Sequence, residues 1–180
     1  MTIQSAIKAF LSDSPVPVHE YAFLSPEKIP FSADVRKACE DNLCGRYGKS
    51  WTCPPGAGDW QELKERYQSY GNAFVFTTLH KVEDSFDFEG MDEASKVHSE
   101  AEEALLAHIT PWAVQFELLG AGSCSLCEEC TYPDAPCRFP EQARRSMEAC
   151  GIDVVTLSKE NNIRYFNGAN TVTYFSVLLY

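Results

Sequence analysis

The run "NAFVFTTLHKV", residues 72–82, decides the fold. It is rich in β-branched and aromatic side chains, with no acidic residue, and predicts a buried strand. After it, Ala94, Val97, Ala101, Ala104, Leu105 and Ile109 recur at spacings of three and four. That spacing predicts a long helix over about 92–110, stopped by Pro111. Before it, Asp59 can cap a helix over "WQELKERYQSY" that Gly71 ends.

Further out, "VPVHEYAFL" (16–24) reads as a first strand and "ADVRKACED" (33–41) as a short helix carrying Cys39. "WAVQFELLGAG" alternates Val114, Phe116 and Leu118 against Gln115 and Glu117, the pattern of a half-buried strand. "EQARRSMEAC" (141–150) predicts a helix stopped by Gly151, and "TVTYFSVLLY" (171–180) a last strand. Together they predict one layered α/β or α+β domain over residues 1–180. Its central sheet has about four strands, with flanking helices and two cysteine-rich loops.

A 44% hydrophobic and 23% charged composition is ordinary for a globular chain of 180 residues, long enough to bury a core. The net charge of −11 argues against nucleic acid and anionic membrane surfaces. It suits a partner protein with a basic surface, and its plainer role is solubility. "MTIQSAIKAFLSD" lacks the basic start and long apolar run of a signal peptide. No stretch approaches the ~20 apolar residues of a membrane span. A cytoplasmic protein is expected, where thiols stay reduced. The eight cysteines then read as metal ligands or reactive thiols rather than disulfides.

Four cysteines, Cys124, Cys127, Cys130 and Cys137, are spaced C-x2-C-x2-C-x6-C. Zinc is usually held by two separated pairs, so that ligands converge from two segments. Three thiolates in seven residues better suit an object with several iron corners, and ferredoxins open with the same triplet. Their fourth cysteine follows sooner, so Cys137 either closes this group or reaches another.

Cys39, Cys44 and Cys53 form a looser group, C-x4-C-x8-C, amid Gly45, Gly48, Pro54, Pro55 and Gly56. Arg46 and Lys49 lie within this span and can offset the charge of thiolate-bound clusters. Lys49 and Trp51 also suit a lid, or donors behind the ligands that tune a metal site. Two four-iron clusters want eight thiolates. Either Cys150 completes the first group, or one iron is left to a non-cysteine ligand, water or substrate. As a residue at the end of an apparent helix, Cys150 reads equally as a buried core thiol.

"CGRYGKSWTCPPG" with "CSLCEECTYPDAPCRFPEQARRSMEACGIDV" resembles the predicted metal-binding protein family, domain of unknown function 2284, over nearly the whole chain. The resemblance implies a cysteine-bound metal, foremost iron–sulfur, in anaerobic bacteria and archaea, sometimes near corrinoid or methyl-transfer systems. It carries over first to Cys44, Cys53, Cys124, Cys127, Cys130 and Cys137, then to Cys39, and last to Cys150.

His19, His80, His98 and His108 are scattered, and His98 and His108 stand ten apart, so they do not read as an i, i+4 metal pair. Arg138, Arg144 and Arg145, beyond Cys137, suit an anionic ligand, cluster sulfur or plain surface charge. The acidic "EDSFDFEGMDE" (83–93) reads as a solvated loop with a hydrophobic anchor. The expected function is redox: one or two 4Fe-4S clusters passing single electrons to or from a partner enzyme. An enzyme with an open cluster iron and a zinc-stabilised module are the alternatives.

Overall fold

The computed structural model describes residues 2–112 and 115–180. Four strands form one antiparallel sheet in the order β1-β2-β4-β3: β1 Tyr21–Leu24, β2 Ala73–Lys81, β3 Glu117–Leu119 and β4 Thr171–Leu179. β2 and β4 pair along their full length, from Ala73 opposite Leu179 to Lys81 opposite Thr171.

Alternation splits the core into two layers. Phe74, Phe76, Leu118 and Leu178 face one side. There they meet Ala6, Ile7 and Phe10 of α1 (Ile3–Asp13) and Ala101, Leu105 and Ile109 of α4 (Phe88–Ile109). Ala73, Val75, Leu119, Phe175, Val177 and Leu179 face the other. Against them pack Leu63 and Tyr67 of α3 (Trp60–Gln68), Leu157 of α5 (Val154–Glu160) and Met147, Cys150 and Ile152. Burying each such large apolar side chain stabilises by about 1.5–3 kcal/mol, which is what pins the register.

Polar caps set the helix starts. Asp59 Oδ1 accepts the N–H groups of Gln61 and Glu62 at 2.8 and 3.1 Å. Ser32 starts α2 (Ala33–Glu40), and Asp87 starts α4 one turn earlier than the apolar spacing predicts. Gly71 is not the stop of α3. That helix ends at Gln68, where the Ser69 hydroxyl turns back to the Arg66 carbonyl at 2.7 Å. β1 is shorter than the predicted 16–24, since Pro15 and Pro17 have no N–H to give the ladder.

The predicted strand around residue 116 reduces to β3, and Val114 lies outside the described residues. β3 is buried on both faces, with Leu118 in one core layer and Leu119 in the other. Phe86 and Phe88 are 79% and 72% exposed, so they anchor nothing in this chain.

The predicted helix 141–150 does not form. Only the 3-10 turn Glu148–Cys150 is helical, capped by Gly151 at φ 82°. Extended backbone sends consecutive side chains to opposite sides. Arg144 uses this to reach Glu102 and Glu103, while Arg145 reaches Glu117 and the Ala57 carbonyl. Gly120 pairs with this segment, donating to the Arg145 carbonyl and accepting from Met147.

Candidate metal centre

The first thiol cavity, about 590 Å³, is lined by Cys39, Cys44 and Cys53. Cys39 comes from the last turn of α2, and Cys44 and Cys53 from the loop after it. Gly45 and Gly48, at φ 73° and 68°, turn that loop, and the Gly48 N–H closes it on the Pro54 carbonyl at 2.8 Å. Arg36, 6% exposed, fastens α2 to the 3-10 turn. Its Nη1 donates to the Ala149 carbonyl at 2.7 Å and its Nε to Glu40 at 3.0 Å. The same contact brings Glu148 to the cavity. Burial pushes the Cys39 thiol up. Glu148, Cys44 and Cys53 add to that rise and Arg36 opposes it, so these groups feel one another's charge.

The second cavity, about 20 Å³, is lined by Cys124, Cys127, Cys130 and Cys137. Burial pushes the Cys124 thiol up. The Leu126 N–H opposes that, and Cys137, Cys127 and Cys130 add to it. The loop is held by its own polar groups. Thr131 Oγ1 donates to the Pro136 carbonyl at 2.9 Å and Arg138 Nη1 to the Glu129 carbonyl at 2.8 Å. Trp51 Nε1 donates to the Ala135 carbonyl at 3.1 Å, and its ring meets Tyr132 edge-on at 4.9 Å. Gly56 permits this closeness: a Cβ there would lie 2.5 Å from the Ser50 carbonyl oxygen and 2.9 Å from the Tyr132 ring.

The cavities share a wall. Thr52 lines the second and Cys53 the first; Ser123 lines the first, and Cys124 lines the second. Consecutive Cα atoms are about 3.8 Å apart, so two chain segments divide the sites. The Cys124 N–H donates to Thr52 Oγ1 at 3.4 Å, joining those segments.

Residues 22–180 match the model of the predicted metal-binding protein family (DUF2284). The chain belongs to that family. All eight cysteines fall in the DUF2284 match, and α1 falls before it. No curated protein and no solved structure matches the chain.

Within this DUF2284 chain, Cys137 stands with its three sequence neighbours. Cys150 joins neither group: it is 0% exposed in the core, with its sulfur 3.5 Å from the Tyr67 hydroxyl. Burial pushes its thiol up to about 12, away from the thiolate a metal takes. The 3-10 turn explains this, since three residues per turn put residues 148 and 150 on different sides. Arg46 lines the first cavity, and Arg138 lines the second. Trp51, expected beside the first group, covers the second. Lys49 is exposed and lines neither.

Among the described residues, no three His, Cys, Asp or Glu are gathered tightly enough to hold one ion. A tetrahedral zinc with Zn–S of ~2.3 Å needs sulfurs roughly 3.8 Å apart. A multi-iron group, with one thiolate per corner, needs a wider ring.

Two features escape sequence reading. One is Glu148. The other is a buried polar chain, His80–Thr78–His98–Ser176–Glu102–Arg144, whose links are 2.5–2.8 Å long. It ends at a cavity of about 260 Å³ that Cys124 also lines. Burial, then the His80 and Arg144 charges, push His98 down to about 3, so it is neutral. The available signal was His98 and Glu102 at i, i+4 on the apolar face of α4.

Proposed function

We propose that this protein is an iron–sulfur redox protein holding two four-iron clusters, one per thiol cavity, and passing single electrons to or from a partner. The observation that carries the reading is the wall shared at residues 52–53 and 123–124, which sets two thiol groups side by side. Cys39, Cys44 and Cys53 would hold one cluster; Cys124, Cys127, Cys130 and Cys137 would hold the other. When bound, the clusters supply the one-electron chemistry. The chain supplies burial and donors: Arg46 and Arg138 beside the cavities offset negative charge, and Trp51 screens the second from water. The net charge of −11 draws a basic partner protein and disfavours nucleic acid. Among the described residues, no helix is long and apolar enough to cross a membrane.

Analysis of protein prepared without oxygen tests this. About eight iron and eight acid-labile sulfide per chain are expected for two four-iron clusters. A colourless protein carrying only zinc overturns the redox reading and leaves a zinc-stabilised module.

A further inference from the structure

Three thiols face the first cavity, and among the described residues no fourth thiol lines it. A four-iron cluster presents four corners. We propose that Glu148 supplies the fourth ligand of the metal group held by Cys39, Cys44 and Cys53. This inference rests on the iron–sulfur reading above.

Four observations carry it. First, Glu148 lines the cavity with the three cysteines. Second, the backbone aims it there. Arg36 clamps α2 to the Ala149 carbonyl, and the Gly151 N–H closes the turn on the Glu148 carbonyl at 2.9 Å. The same turn carries Cys150 into the core, against Tyr67. Third, Glu148 forms no ion pair among the described residues. Arg36, the buried cation at this junction, is taken by Glu40 and the Ala149 carbonyl. Burial pushes the Glu148 carboxyl up, and hydrogen bonds from Ser146 and its own backbone N–H oppose that rise, so neutral donors rather than a cation hold it at the cavity. Fourth, Glu148 is the one carboxylate among the described lining residues, beside the neutral hydroxyls of Tyr47, Ser123 and Ser146, and Ser146 is engaged with the Ala149 N–H at 3.1 Å and with Glu148 itself.

A carboxylate is a harder ligand than a thiolate and suits iron less. The Glu148 corner is therefore the exchangeable one. In the larger of the two thiol cavities, it is where a small donor molecule would reach iron.

The test compares the full-length wild type, Glu148→Gln and Glu148→Cys, all prepared without oxygen. Iron per chain is counted and electron paramagnetic resonance spectra are recorded. Glu148→Gln keeps the shape and loses the charge. It is expected to drop from about eight to about seven irons, with the oxidised signal of a three-iron cluster. Glu148→Cys is expected to keep about eight, because a thiolate at that position completes the ring. If Glu148→Gln matches the wild type in iron and spectrum, or if Glu148→Cys cannot hold the fourth iron, the inference fails while the two-cluster reading stands. An iron-free wild type overturns both.

Discussion

Thr52 Oγ1 accepts the backbone N–H of Cys124 at 3.4 Å, so the residue before Cys53 holds the first cysteine of the other thiol group. Ser50 Oγ lies 3.0 Å from the same hydroxyl and fixes its direction. One side chain thus ties the two cavities at their common wall.

Thr52→Val removes that acceptor while keeping the shape. A neutral hydrogen bond contributes about 1 kcal/mol. We expect the second thiol group to surrender its metal to a chelator several-fold faster, with the first group little changed. Time courses of iron release, one per group by spectral signature, check this.

Gly56→Ala places a methyl group against the Ser50 carbonyl and the Tyr132 ring, of which only the ring can give. Overpacking of this kind costs about 1–3 kcal/mol. The expected result is a lower melting temperature and a displaced Trp51, visible as altered indole fluorescence.

Arg36 and Arg138 separate buried from exposed cations. Arg36→Met leaves the Ala149 carbonyl without its donor and frees α2 from the 3-10 turn. It should cost about 2–4 kcal/mol and empty the first thiol group before the second. Arg138 is exposed, and Arg138→Met should cost less than about 1 kcal/mol. Denaturant titration with metal analysis distinguishes the two.

Cys150→Ala should leave iron content and spectra unchanged, because Cys150 lines neither cavity. Stability should fall by about 1 kcal/mol for the emptied core volume. Loss of a cluster would instead make Cys150 a ligand.

His98 predicts a pH dependence. Its folded value of about 3 lies below the ordinary 6.5, so the unfolded chain binds the extra proton first. Stability therefore falls as pH drops from about 6.5 towards 3. Facing it are His80, Glu102, Arg144 and Tyr174. Glu102, pushed up by burial, takes its proton earlier in the folded state than in the unfolded chain. It offsets part of the loss as pH falls through its folded value. His98→Gln should flatten the slope of stability against pH by up to one proton, about 1.4 kcal/mol per unit. Denaturant midpoints between pH 7 and 5 measure it; an unchanged slope contradicts the assignment.

The sheet was legible in residues 72–82 and 171–180 because both runs are apolar on two faces, which only a covered central strand requires. The cap at Asp59 was legible because capping is local. The segment 141–150 was not, because its helical pattern yields to the distant partners Glu102, Glu117 and Gly120. Cysteine spacing grouped Cys124, Cys127 and Cys130 but left open whether Cys137 joins them, and it did not show the side of the wall on which Trp51 falls. That depends on Tyr132 and the Ala135 carbonyl, more than 80 residues away. His98 and Glu102 read as an ordinary helix face until Thr78, Ser176 and Arg144 are seen to satisfy them.

Iron counted in three preparations distinguishes two separate clusters on one wall from a single shared one. The wild type should hold about eight irons per chain, and Cys53→Ala and Cys127→Ala about four each, every variant keeping the spectrum of the cluster it did not lose. Equal iron in all three, or its complete loss in both variants, would contradict the account.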